Sequence, residues 1–138
     1  MKTTIRSFPA IVFLTLLTSA PAFCQLTQEA RRSQPMVVIA DKDSGSITKN
    51  QLWESGFLSI KNNTSPPLSV STFKMTIDCA GKLTVLENDR DGTITEPMRT
   101  AIYHADPGCK IYFEYIKAAG KNQGSSRFMP PLAFTITE

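Results

Sequence analysis

The sequence predicts a mostly-β protein, an Ig-like antiparallel β-sandwich with one or two short helices. Three observations carry that expectation. Strict apolar/polar alternation runs through 72–78, an aromatic-rich strand follows the Asp-Pro-Gly turn at 106–108, and turn residues punctuate short apolar runs at close intervals. Six or seven such strands around one interior make a sandwich the natural solution.

The first segment lies outside the fold. Lys2 and Arg6 give a positive start, Phe8 to Leu17 a short apolar stretch, and Thr18 to Ala22 a small-residue end. About ten apolar residues are too few to span a bilayer, which takes ~20. Residues 1–22 therefore read as a cleaved secretory signal, cut after Ala22. Residues 23–34, polar and with the pair Arg31-Arg32, read as a flexible tail, and 35–138 as one domain. Cys24 could follow a lipoprotein signal, but Phe23 before it is larger than such a site accepts.

The formal charge of +3 overstates the basic character, because Lys2 and Arg6 belong to the signal. The mature chain sits near neutrality with no basic run beyond Arg31-Arg32. Nucleic acid and anionic membrane surfaces are not expected partners, and no membrane-spanning segment is expected after cleavage.

Within the domain, Pro35 introduces Met36 to Ala40, an apolar run of buried-strand type. Asp41 to Gly45 reads as a turn. Thr48 and Gln51 have the spacing of a capping box, so a helical turn through Leu52-Trp53-Glu54 should follow, closed by Gly56. Phe57 to Ile60 returns to extended structure, and the NNTSPP stretch from Asn62 to Pro67 is a loop. Phe73, Met75 and Ile77 then alternate inward. Cys79-Ala80-Gly81 turns the chain, and Lys82 to Glu87 comes back as the second arm of a hairpin.

Asn88 to Gly92 is a further turn. Thr95 should cap a second helix, with Pro97 tolerated in its first turn, reaching about His104. Asp106-Pro107-Gly108 then turns into Lys110 to Lys117, a strand expected to face Ile111, Phe113 and Tyr115 one way and Tyr112, Glu114 and Ile116 the other. Ala119 to Arg127 reads as a mobile hairpin loop, and Leu132, Phe134 and Ile136 alternate in a closing strand. The segments Gly45 to Thr48 and Gly92 to Thr95 share one pattern of turn glycine, buried Ile and capping Thr, too short to be a repeat.

Three cysteines in an exported chain suggest oxidising conditions. Cys79 and Cys109 fall at loop–strand junctions, where a disulfide can join neighbouring strand ends, leaving Cys24 as the odd thiol. The alternative is that all three are independent apolar fillers.

Signs of chemistry are sparse. Glu87, Asp89, Asp91, Gly92 and Ile94 imitate part of a calcium loop, but Met98 stands where a bidentate Glu is needed. Asp41-x-Asp43 is a weaker imitation. His104, the single histidine, lacks a nucleophile other than Cys109 nearby, and one His with three scattered Cys does not make a zinc site. No catalytic residue, metal or cofactor is expected. Trp53 reads first as core, beside Leu52 and near Phe57, and otherwise as an anchor for a partner's pocket.

Several segments in order, MVVIADKDSGSITKNQL, FKMTID, GTITEPM, PGCKIYFEYIKAAG and RFMPPLAFTI, resemble the C-terminal domain of the GldM (PorM) family of gliding-motility and type IX secretion proteins. The resemblance covers Pro35 to Glu138 and is most specific in the PG-x-K-I-Y-F block. It implies a periplasmic β-domain of the Bacteroidota that meets envelope proteins and forms dimers, with no catalytic residues to carry over. The signal stands where that family has a membrane anchor, so the resemblance implies a stand-alone exported domain. The expected function is a non-enzymatic protein–protein interaction module. It would act through a sheet edge, through Trp53, or through the loops that carry Lys61, Asn62, Lys121 and Arg127. An exported module binding a glycan, a small molecule or calcium is the alternative.

Overall fold

Strand β1 (Met36–Val38) ends in a tight turn, and strand β2 (Ser44–Thr48) leads straight into helix α1 (Lys49–Ser55). A computed structural model describes residues 34–61, 65–121, 124 and 126–138. The signal segment 1–22, the tail up to residue 33 with Cys24, and Asn62 lie outside the described residues. Then come β3 (Ser59–Lys61), β4 (Leu68–Cys79), β5 (Lys82–Asn88), helix α2 (Glu96–His104), β6 (Lys110–Gly120), β7 (Ser126–Phe128) and β8 (Leu132–Thr137). Among the described residues the fold is mostly β with two short helices.

The main sheet runs β2-β8-β6-β4-β5, with β7 also pairing β6. Its inner face presents Ile47, Phe73, Met75, Ile77, Ile111, Phe113, Leu132, Phe134 and Ile136, all buried. They share one core with Val37 of β1, Leu52 of α1, Leu58, and Met98 and Ile102 of α2. The small antiparallel sheet β1–β3 and the two helices thus supply the second layer. Aromatic rings centre this core: Phe113 lies 6.0 Å from Phe73 and 6.5 Å from Phe134, both within the range where tilted ring pairs attract.

Local chemistry accounts for the elements. Thr48 and Gln51 form the capping box of α1, each side chain accepting from the other's backbone N–H at 3.1 Å. Gly56 closes that helix at φ 64°. Thr95 occupies the cap position of α2 but makes no side-chain cap bond, so Pro97 and Glu96 in the first turn carry that start. Ala80 and Gly81 both have positive φ, the two-residue turn that matches the twist of hairpin strands. The Gly81 N–H donates to Asp78 Oδ1 at 2.9 Å and fastens it.

Four expectations are corrected. The turn after β1 is at Ala40-Asp41, both at positive φ, where Ile39 and Lys42 exchange backbone bonds. Ser44 and Gly45, read as turn, belong to β2 because β8 pairs with them. That pairing is parallel, a departure from the antiparallel sheet expected. The loop expected from Ala119 is shorter: β6 continues to Gly120, and Ser126 to Phe128 pair back onto it as β7.

The fourth correction is a bulge. Between the pairs Lys74↔Glu114 and Thr72↔Lys117, β6 has two residues opposite one on β4. Tyr115 absorbs the extra length at φ 50°, a left-handed backbone that costs a non-glycine residue roughly 1–2 kcal/mol. Alternation is reset there, so Ile116 and Ala118 are buried and Tyr115 stands 65% exposed instead of joining the core. A second shift, between Val70 and Thr72, adds a residue to β4 and restores the register.

Cys79 and Cys109 continue the β4–β6 register one step beyond Asp78↔Lys110. Their sulfurs are bonded at 2.04 Å, with Cα atoms 4.6 Å apart. The bridge joins two neighbouring strands that both line the core.

Candidate functional site

Strand β5 stands at the edge of the main sheet. It pairs with β4 over seven consecutive positions, Phe73↔Asn88 to Cys79↔Lys82, without a bulge. Among the described residues no strand pairs its other side. Leu86 points inward with Met75, while Leu83 and Val85 point outward opposite Asp78 and Thr76. Those two side chains are 62% and 51% exposed. A strand apolar on both faces has the composition of a central strand, yet this one is an edge. Edges are commonly blunted by Pro, bulges or dense charge; β5 has only Lys82 and Glu87 near its ends.

The far end of β5 is held rigidly. Asn88, a buried polar residue, donates its amide to Thr93 O at 2.8 Å and Asp91 Oδ1 at 3.1 Å, and accepts from Arg90 N at 3.0 Å. Gly92 sits beneath Leu58, where an added Cβ would lie 2.7 Å from its carbonyl oxygen. The Leu58 N–H donates to Gly92 O at 2.8 Å, so the 88–93 turn is tied to the second layer. Beside it a groove of about 530 Å3 opens between Phe57 to Ile60, Leu68 to Ser71 and Arg90 to Thr93.

Asp91 Oδ1 also accepts from Thr93 N at 2.8 Å. That backbone bond, then the Thr93 hydroxyl and the Asn88 amide, hold its carboxyl below the ordinary carboxylate range. The folded pKa lies below the unfolded one, so the stabilisation is full above the unfolded value. It is lost as pH falls through the folded one. Acid titration of stability should therefore show a decline below the normal Asp range, and Asp91→Asn should flatten that part of the curve. An identical slope in the variant would assign the decline to other carboxylates.

The residues singled out in the sequence fall in different places. Trp53 is not core: it is 51% exposed on α1, with the Arg99 guanidinium stacked 4.9 Å from its ring centre. Arg99 is fixed there by bonds to Trp53 O at 3.2 Å and Ile94 O at 3.3 Å. Lys61 is exposed and paired with Asp41 at 2.9 Å. Lys121 and Arg127 are exposed, Arg127 on β7 opposite Ala118. The Leu68↔Gly120 pairing sets Lys121 at the end of the sheet where β4 begins. Trp53, by contrast, lies on the helical layer.

The imitated calcium loop is an ordinary turn, its Asp91 oxygen committed to Asn88 and Thr93. Among the described residues no group of three or more His, Cys, Asp or Glu side chains is arranged to hold a metal. His104 is exposed beside Tyr103, and Cys109 is consumed by its disulfide, so the two do not make a nucleophile–base pair. Among the described residues no helix is long and apolar enough to cross a membrane. The features that sequence reasoning missed are Leu83, Val85, Arg99 and Tyr115. KLTVLE did carry a signal, since its apolar residues occupy both parities of the strand. No protein-family model matches the chain, and no curated protein matches it.

Proposed function

We propose that this chain is an exported, non-enzymatic interaction module that takes an extended segment of an envelope protein onto the free side of β5. The observation that carries this reading is the mismatch between composition and position: a two-faced apolar strand, in unbroken register, left open at the edge. Strand addition uses backbone N–H and C=O groups for affinity, and a partner's alternate side chains would cover Leu83 and Val85. A cross-strand disulfide is compatible with an oxidising compartment. The resemblance to the GldM C-terminal domain supports a periplasmic location and an envelope partner, and makes type IX secretion or gliding complexes the first place to look.

Val85→Lys provides the test. A lysine on an exposed edge costs little in the folded monomer, within about 0.5 kcal/mol, but places an uncompensated charge where the incoming strand must lie. Photo-crosslinkers placed singly at positions 83 and 85, used in intact envelopes, should capture a protein partner, and Val85→Lys should abolish the capture from position 83. A crosslinker at Ser46, on the opposite edge strand, should capture nothing comparable. Capture at Ser46 or Trp53 with none at 83 or 85, or capture indifferent to Val85→Lys, would defeat the proposal.

A further inference from the structure

On the outer face of the main sheet, the bulged residue Tyr115 and Phe128 of β7 share a cavity of about 340 Å3 with Thr72, Lys74, Glu87, Asp89 and Lys117. Both rings are unusually open, 65% and 67% exposed. Each is attended by one ammonium: Lys74 Nζ lies 4.2 Å from the Tyr115 ring centre and Lys117 Nζ 5.1 Å from that of Phe128. The pairings Lys74↔Glu87, Lys74↔Glu114 and Lys117↔Phe128 put these side chains on one face by register alone.

The chain makes Tyr115 available at a conformational cost. Strict alternation after Phe113 would carry it into the core, and a left-handed residue turns it out instead. Bulges that re-aim a side chain are common beside binding sites. Opposite charges are balanced here, two ammonium groups against two carboxylates, Glu87 and Asp89. An anion or a cation of either sign would leave half of that set unmatched. A ligand that both donates and accepts at many points, and has an apolar C–H face for the rings, matches all of it.

We infer that this cavity is a binding site for a neutral pyranose glycan. The sugar's apolar face stacks on Tyr115 and Phe128, while its hydroxyls donate to Glu87 and Asp89 and accept from Lys74 and Lys117. The site borders the β5 edge and shares Glu87 with that strand, but its rings, Tyr115 and Phe128, lie on β6 and β7, so their response to sugar is read separately from partner capture at Leu83 and Val85.

The test is an NMR titration of the exported chain with cellotetraose, maltotetraose and chitotetraose, with a tetramer of galacturonic acid as the charged comparison. At least one neutral sugar should shift the ring resonances of Tyr115 and Phe128 saturably. Tyr115→Asn removes the ring while keeping a residue that tolerates left-handed backbone, and should weaken binding about tenfold or more. Tyr115→Phe keeps the ring and should bind nearly as the parent does. Silence with all three neutral sugars, shifts with the uronate alone, or equal affinity in Tyr115→Asn would each overturn the inference.

Discussion

Replacing Cys79 and Cys109 together by serine should lower the unfolding free energy by about 3–4 kcal/mol, the chain-entropy value for a loop of this length. The bridge closes a separation of 30 residues and holds β4 and β6 at their shared end. In a domain of about a hundred residues, that loss corresponds to a fall in Tm of roughly 15–20 °C. Both cysteines should be replaced, because a single substitution leaves a thiol in a buried setting at position 109. Calorimetry of the parent with and without reductant should reproduce the same difference. A shift of only a degree or two would mean that the strand pairing is self-sufficient and the bridge ornamental.

Phe113→Ala should cost about 3–5 kcal/mol, as expected when a large core aromatic is truncated and its cavity only partly collapses. The ring is fully buried and touches the rings of both flanking strands, Phe73 on β4 and Phe134 on β8. Two residues along the same strand, Tyr115→Ala should change stability by less than about 1 kcal/mol, because its side chain is at the surface. Urea unfolding of the two variants side by side reads out the bulge directly. Unbroken alternation would bury both positions, so a severe loss at 115 would disprove the outward turn of that residue.

That contrast marks where the sequence stopped being informative. The β4–β5 hairpin was legible because alternation on both arms and the Ala80-Gly81 turn agree locally. The capping box of α1 and the span of α2 were legible for the same reason. The cross-strand position of Cys79 and Cys109 followed from their place at strand ends. The bulge at Tyr115 was hidden, because an extra residue is defined only against the partner strand's register. Strand β2 was hidden by Ser44 and Gly45, which have turn chemistry and are extended only because β8 lies alongside. Trp53 looked like core through its neighbour Leu52, but successive residues on a helix face different ways, and Arg99, remote in sequence, holds it at the surface. For the candidate site, the two-sided apolarity of β5 was visible in the letters, whereas its edge position depends on the order in which distant strands assemble.

Strand β8 follows every other strand of the main sheet in sequence, yet lies inside it, between β2 and β6. Synthesised from the N-terminus, the polypeptide must hold the greasy flanks of β6 and β2 uncovered until Leu132 to Thr137 arrive. Native closure is then a late, long-range event, with contacts such as Ile47↔Ile136 bridging most of the domain. A nascent intermediate of this kind, its sheet flanks still bare, is aggregation-prone and invites holdase chaperones until the last strand docks.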